Sequence, residues 1–183
     1  MKVFTLAAPE DFEWVLPVDE DQFRALRFDG TTREGSWVPI EMQRLAAESR
    51  GRPHQESDFP SCSGGDMLLL RQRAADALGR MLEGYGELLP LICREGDPLW
   101  TFNVTRLVDA LDEQRSDVLL SADSKKILRV KAPVFRTERL TGIHLFKLSQ
   151  MPRGLIYVTE PFVASVKSHG LRGIAFTQVW APS

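Results

Sequence analysis

Two stretches of this sequence, residues 67–93 and 155–180, run through the same order of local signals: an apolar strand, a helix, a glycine and a second apolar strand. In the first, Met67–Leu70 is a short apolar run. Residues 71–83 then place Ala74, Ala77, Leu78, Met81 and Leu82 on one helical face. Gly84 ends that helix and Glu87–Cys93 is apolar again. In the second, Leu155–Val158 leads to Thr159, a good N-cap residue, with Pro161 inside the first turn. Phe162, Val163, Val166 and Lys167 continue the helix, His169 and Gly170 stop it, and Gly173–Trp180 reads as a last strand. The spacings differ slightly and the identities are poor. The two units therefore read either as a distant repeat or, more simply, as two uses of one common supersecondary unit.

The remaining signals are mostly strands. Residues 2–7 alternate until Pro9, and Phe12–Val18 and Phe23–Phe28 read as further extended pieces, the last closed by the turn dipeptide Asp29-Gly30. From Thr31 to Asp66 the pattern is broken by Gly35, Pro39, Gly51, Pro53, Pro60, Gly64 and Gly65. Within it only Ile40–Ser49 suggests a short helix, and Trp37-Val38-Pro39 suggests an anchor. Structureless segments of this length are uncommon in compact domains and tend to carry function. Leu99, Trp100, Phe102 and Val104 form an apolar strand that runs into an acidic turn holding Asp109, Asp112, Glu113 and Asp117. That turn reads either as solvated or as capping a short helix begun at Thr105. Two more strands follow at Ile127–Lys131 and Ile143–Ser149. Strands mixed with two principal helices give an α+β class with a mixed, mostly antiparallel sheet. The expected organisation is a single domain over 1–183, with an irregular, variable N-terminal lobe and loop at 1–56 and a core at 57–180.

With 183 residues, 43% of them hydrophobic, the chain can bury one good core. The net charge of -2 points to neither nucleic acid nor an anionic membrane. The distribution is more telling. Glu10, Asp11, Glu13, Asp19, Glu20 and Asp21 crowd the N-terminus, whereas Lys125, Lys126, Arg129, Lys131, Arg136, Arg139, Lys147 and Arg153 face only Glu138 between 125 and 153. Such polarity can steer a charged partner; two solvated, compensating faces are the plainer alternative. Cys62 and Cys93 lack metal or redox spacing and read as reduced thiols. Without a signal peptide or an apolar run of the roughly 20 residues that a membrane span needs, the expectation is a soluble, cytoplasmic protein.

Catalytic motifs are missing. There is no phosphate-binding loop, no dinucleotide fingerprint, no His-Glu-x-x-His and no Cys-x-x-Cys. The carboxylates at 109–117 do not follow a calcium-loop spacing. No catalytic residue, cofactor or metal site is expected. Two other classes stay in view: a small hydrolase using Ser61 or Cys62 with His54, and a regulatory nucleic-acid-binding domain using the basic stretch with Phe135 and Phe146. In the latter, apolar residues alternate with charges as core alternates with solvent, so direct nucleic-acid binding is not expected.

The order of certain segments resembles a bacterial immunity-protein family that protects against polymorphic and contact-dependent toxins, typified by a myxobacterial immunity protein. The matching pieces are Ser57-Asp-Phe-Pro60, Glu87-Leu-Leu-Pro90, Trp100-Thr-Phe-Asn-Val104 with Val108-Asp-Ala-Leu-Asp112 and Ser116, Ile156-Tyr-Val-Thr-Glu-Pro-Phe162, and Gly170-Leu-Arg-Gly-Ile-Ala-Phe176. The resemblance implies a cytoplasmic protein that binds and blocks a cognate toxin encoded by a neighbouring gene; the strand pattern is compatible with a monomer or, through an unpaired strand edge, a homodimer. Many such toxins are nucleases. The residues expected to face the partner are Glu10, Asp11, Glu13, Trp14, Asp19, Glu20, Asp21, Trp37, Asp112 and Glu113. Because Asp112 belongs to the shared motif, cognate recognition is expected chiefly on the N-terminal region and the loop 29–66.

Overall fold

A computed structural model describes residues 1–45, 48–49, 52–123 and 126–182. In chain order the strands and helices are β1 (Val3–Ala7), β2 (Val15–Pro17), β3 (Glu41–Arg44), β4 (Glu48–Ser49), β5 (Arg52–Pro53), β6 (Leu69–Arg71), α1 (Gln72–Leu82), β7 (Gly86–Cys93), β8 (Leu99–Val104), β9 (Leu107–Val108), β10 (Asp117–Leu120), β11 (Ile127–Ala132), β12 (Leu145–Leu148), β13 (Tyr157–Thr159), α2 (Glu160–Ser168) and β14 (Ala175–Trp180). Among the described residues, three short 3-10 helices lie at Glu20–Leu26, Glu34–Ser36 and Thr137–Arg139.

The strands form two five-stranded sheets, ordered β14-β1-β13-β12-β9 and β2-β3-β7-β8-β6. Strands β10 and β11 form a separate two-stranded ribbon, as do β4 and β5. All pairings within the large sheets are antiparallel except β12 with β9 and β3 with β7. The fold is α+β, as the signals along the chain imply.

Both strand–helix–strand units form, and both are split. In the first, β8 lies between β6 and β7, antiparallel to each. In the second, β1 lies between β13 and β14 in the same way. The inserted strand follows its unit in one case and precedes it in the other. The shared local grammar therefore does not extend to a shared chain order.

Apolar spacing decides how the helices dock. Ala74, Leu78 and Leu82 recur every four residues and turn one face of α1 fully inward, while Gly84, at φ 79, ends the helix. Each leucine so buried contributes about 1.5–3 kcal/mol. Phe162, Val163 and Val166 do the same for α2, and both faces meet Leu70, Phe102, Leu145 and Val158 in one core. Arg73 of α1 ties the two units further. It donates to the carbonyls of His169 and Gly170 at 2.9 and 3.1 Å, satisfying the free carbonyls past the end of α2.

Four local expectations change. Phe23–Phe28 is not a strand: Glu20–Leu26 is a 3-10 helix whose three-residue period buries Leu26. Ile40–Ser49 holds no helix among its described residues; Glu41–Arg44 is β3, held as a strand by pairing with β2 and β7. Residues 46 and 47 of that expectation lie outside the described set. No helix begins at Thr105, because Leu107 and Val108 pair with β12 instead. Thr159 occupies the N-cap of α2, yet its hydroxyl donates to the Ile143 carbonyl at 2.8 Å and makes no cap bond.

Candidate partner-binding site

Residues 19–38 build a charged groove. Asp19 accepts a bond from the Asp21 amide at 3.1 Å and so starts the 3-10 helix. Arg24 lies in its last turn, and Arg27 closes it by donating its amide to the Arg24 carbonyl at 3.2 Å. The chain then turns at Asp29-Gly30. Gly30 has φ 87, and a Cβ there would sit 2.7 Å from Leu107, so the turn requires glycine. Asp29 accepts from the Thr31 hydroxyl at 2.7 Å and pairs with Arg153 at 3.1 Å and Arg33 at 3.4 Å. The Thr31 hydroxyl above all, with the two arginines, holds the Asp29 carboxyl far below the usual carboxylate range.

The segment is riveted from beneath by residues of distant strands. Lys147 of β12, only 1% exposed, donates its ammonium to the Phe28 carbonyl at 3.1 Å. Burial pushes this lysine down to about 8. Asn103 of β8 is fully buried and donates to the Thr31 carbonyl at 2.9 Å and to the Glu87 carboxylate at 2.8 Å. Glu87 in turn accepts the Arg33 amide at 2.8 Å. The Trp37 indole donates to the Pro90 carbonyl at 2.8 Å and its ring meets Phe28 with centroids 5.7 Å apart. The result is a groove of about 750 Å³ whose walls include Arg24, Arg27, Arg33, Trp37, Val38 and Arg153. Asp29 answers Arg33 and Arg153. Among the described residues, the exposed side chains of Arg24 and Arg27 have no hydrogen-bonding or ion-pair partner. The groove walls therefore carry four arginines against the carboxylate of Asp29.

The residues expected to face a partner separate into several places. Asp19, Glu20 and Asp21 are exposed at the start of the 3-10 helix, and half-buried Trp37 lines the groove beyond its end. Glu10 and Asp11 are exposed on the loop after β1, where the Asp11 carbonyl accepts from Gln55 at 2.8 Å. Trp14 is half-buried and its backbone bridges to Ser61. Asp112 serves its own turn, its carbonyl taking the Ser116 hydroxyl at 2.7 Å, and Glu113 stands exposed beside it.

Glu13 is turned inward instead. It is 2% exposed, pairs with Arg44 at 2.9 Å and Arg71 at 3.2 Å, and accepts the Ser57 amide at 3.2 Å. It floors a second charged cavity, of about 370 Å³, in which acids and arginines alternate, among them Asp97 with Arg44 and Arg71, and Asp58 with Arg73. Its bonds are internal and hold the 55–61 loop against β6.

Three features bear on the other chemistries. Burial, then the charge of Asp66, pushes the Cys62 thiol up to about 12, so it stays protonated, the reverse of an activated nucleophile. Ser61 is buried, with its backbone bonded to Glu13 and Val15 at 3.1 and 2.8 Å. Phe135 and Phe146 are core residues packed on Tyr157, not faces on which a base could stack, and Lys147 is buried rather than solvated. Lys125 lies outside the described residues. Among those residues no group of His, Cys, Asp and Glu could hold a metal ion, and no helix is long and apolar enough to cross a membrane.

Residues missed by sequence reasoning are Arg24, Arg27 and Arg33 of the groove and Asn103 beneath it, while Arg153 and Lys147 read only as charges of the basic stretch. Asn103 carried a weak signal, being a polar residue in an otherwise apolar strand.

Compared with known families, residues 93–181 match the Immunity protein family (Imm11). The resemblance read from the Trp100–Val104 strand, the Asp112 turn and the Ile156–Phe176 segment thus holds over the C-terminal part of the chain. Ser57–Pro60 and Glu87–Pro90 lie outside the matched span. No curated protein matches the chain. Asn103, Lys147 and Arg153 are within the matched residues; Arg24, Arg27, Arg33 and Trp37 are outside them.

Proposed function

We propose, from the immunity protein family match over residues 93–181, that this chain is an immunity protein that binds a cognate bacterial toxin domain in the cytoplasm and neutralises it by occupation. The family match is the observation that carries this reading. The chain makes and breaks no bond of its own. The toxin is encoded by a neighbouring gene and belongs to the systems through which bacteria poison adjacent cells.

The layout of the groove supports a division of labour. The family-like part supplies Arg153 to the wall and, through Asn103 and Lys147, braces the Phe28 and Thr31 carbonyls behind it, while residues 19–38 supply the rest of a wall that can vary with the toxin. Exposed Glu10, Asp11, Asp19, Glu20 and Asp21 would meet a basic surface such as a nuclease presents to its substrate. Trp37 and the arginines are of the residue types enriched among interface hot spots.

Co-expression tests the reading. Cells producing the toxic domain encoded beside this gene should regain growth when the full chain is present, and the two proteins should co-purify. Continued killing with no complex would refute it.

A further inference from the structure

We infer that the groove between Arg24, Arg27, Arg33, Trp37 and Arg153 receives an acidic segment of the toxin, a carboxylate-bearing loop or terminus. This rests on the immunity reading and adds to it the chemistry of the partner.

The groove carries more positive charge than its own acid answers. Asp29 is committed to Arg33, Arg153 and Thr31. Arg24 and Arg27 are exposed, line the groove, and have no ion-pair or hydrogen-bonding partner for their side chains among the described residues. A guanidinium offers a planar fork that matches a carboxylate in two parallel bonds. The walls are also set in advance. Lys147, Asn103, Glu87 and the Trp37 indole each fix one backbone or ring position at 2.8–3.1 Å, so little ordering entropy is lost on binding. Val38, 76% exposed, gives the rim an apolar contact beside Trp37.

A nucleic acid fits less well. The 3-10 helix that presents Arg24 begins with Asp19, Glu20 and Asp21, all exposed. Three residues per turn at about 2 Å rise put Asp21 within about 6 Å of Arg24 along the helix axis, inside one screening length at physiological salt. A phosphate chain leaving the groove that way would meet like charge. A protein segment needs only one or two carboxylates in the groove, and basic residues beside them would suit the acidic flank.

The test measures the affinity of the full chain for the toxin domain encoded beside it, with three versions: wild type, R24E/R27E, and R129E/K131E. The third makes the same change of charge on the exposed β11 ribbon, where Lys131 pairs with exposed Asp117. Loss of two central charged contacts should weaken R24E/R27E about 100-fold or more, while R129E/K131E stays within about threefold. The association rate of wild type should fall at least about tenfold between 0.05 and 0.5 M NaCl, and that dependence should flatten in R24E/R27E. Equal affinity of R24E/R27E and wild type would overturn the groove assignment and leave the immunity reading standing. A wild-type chain that captures no toxin would overturn both. Tight wild-type binding of a 20-nucleotide oligothymidylate that R24E/R27E lacks would replace the acidic segment with nucleic acid.

Discussion

Replacing Lys147 with methionine tests how the groove floor is held. The ammonium sits in the interior with the Phe28 carbonyl as its hydrogen-bond acceptor, and burial lowers it from 10.5 to about 8. Below about pH 8 the lysine is charged in both the folded and the unfolded chain, so the folded state bears the whole desolvation cost. Between about 8 and 10.5 the folded chain releases its proton first. The unfolded chain then holds more protons, and stability rises with pH across that window. The gap corresponds to about 3 kcal/mol. Two other groups act in the opposite sense. The Cys62 thiol, raised from 9.0 to about 12, and the Tyr157 phenol, raised from 10.0 to about 12, lose their protons first in the unfolded chain, lowering stability above pH 9 and 10 respectively. The wild-type profile alone is therefore mixed, and the difference between wild type and Lys147→Met isolates the lysine. Methionine leaves the Phe28 carbonyl without its donor, costing about 1–3 kcal/mol, and removes a buried charge worth a similar amount, so near pH 7 the two proteins should agree within about 2 kcal/mol. Urea unfolding from pH 7 to 10.5 should show wild type gaining about 3 kcal/mol relative to the variant. A difference that stays constant over that range would show that the ammonium is solvated and does not pin Phe28.

Two more substitutions probe the frame. Glu13→Gln removes the buried charge that Arg44 and Arg71 share and leaves them paired with exposed Asp97, and denaturant midpoints should report a loss of about 1–3 kcal/mol. Asn103→Ala unties Thr31 and Glu87; it should cost about 1–3 kcal/mol, speed proteolytic cutting within residues 31–38, and weaken toxin binding without abolishing the fold.

What the sequence made legible was the part governed by local periodicity. Ala74, Leu78 and Leu82 announce α1, Gly84 its end, and the Leu99–Val104 run a buried strand, because each signal is complete within a dozen residues. β3 was hidden: Glu41-Met42-Gln43-Arg44 has one apolar residue and becomes a strand through its neighbours β2 and β7. The 3-10 helix at Glu20–Leu26 was also hidden, since Phe23, Leu26 and Phe28 fit short alternation nearly as well as a three-residue period. Lys147 looked like one solvated charge in a basic stretch. It is buried because β12 lies inside its sheet, between β13 and β9, with every residue of the strand covered. The groove was beyond local reading altogether. It joins Arg24 and Arg27 to Arg153 across more than half the chain, and only the packing of residues 19–38 against β7, β8 and β12 brings them together. Trp37, by contrast, was expected as an anchor in its loop, and its bond to Pro90 holds that loop in place.

The claim that this chain works by occupying a toxin, and by no chemistry of its own, is tested most directly by titrating the toxin's residual activity against increasing amounts of the full chain. Occupation requires activity to fall linearly and reach zero at one chain per toxin, with both proteins recovered intact. Protection complete at a small fraction of one equivalent, or a toxin left covalently altered, would contradict it.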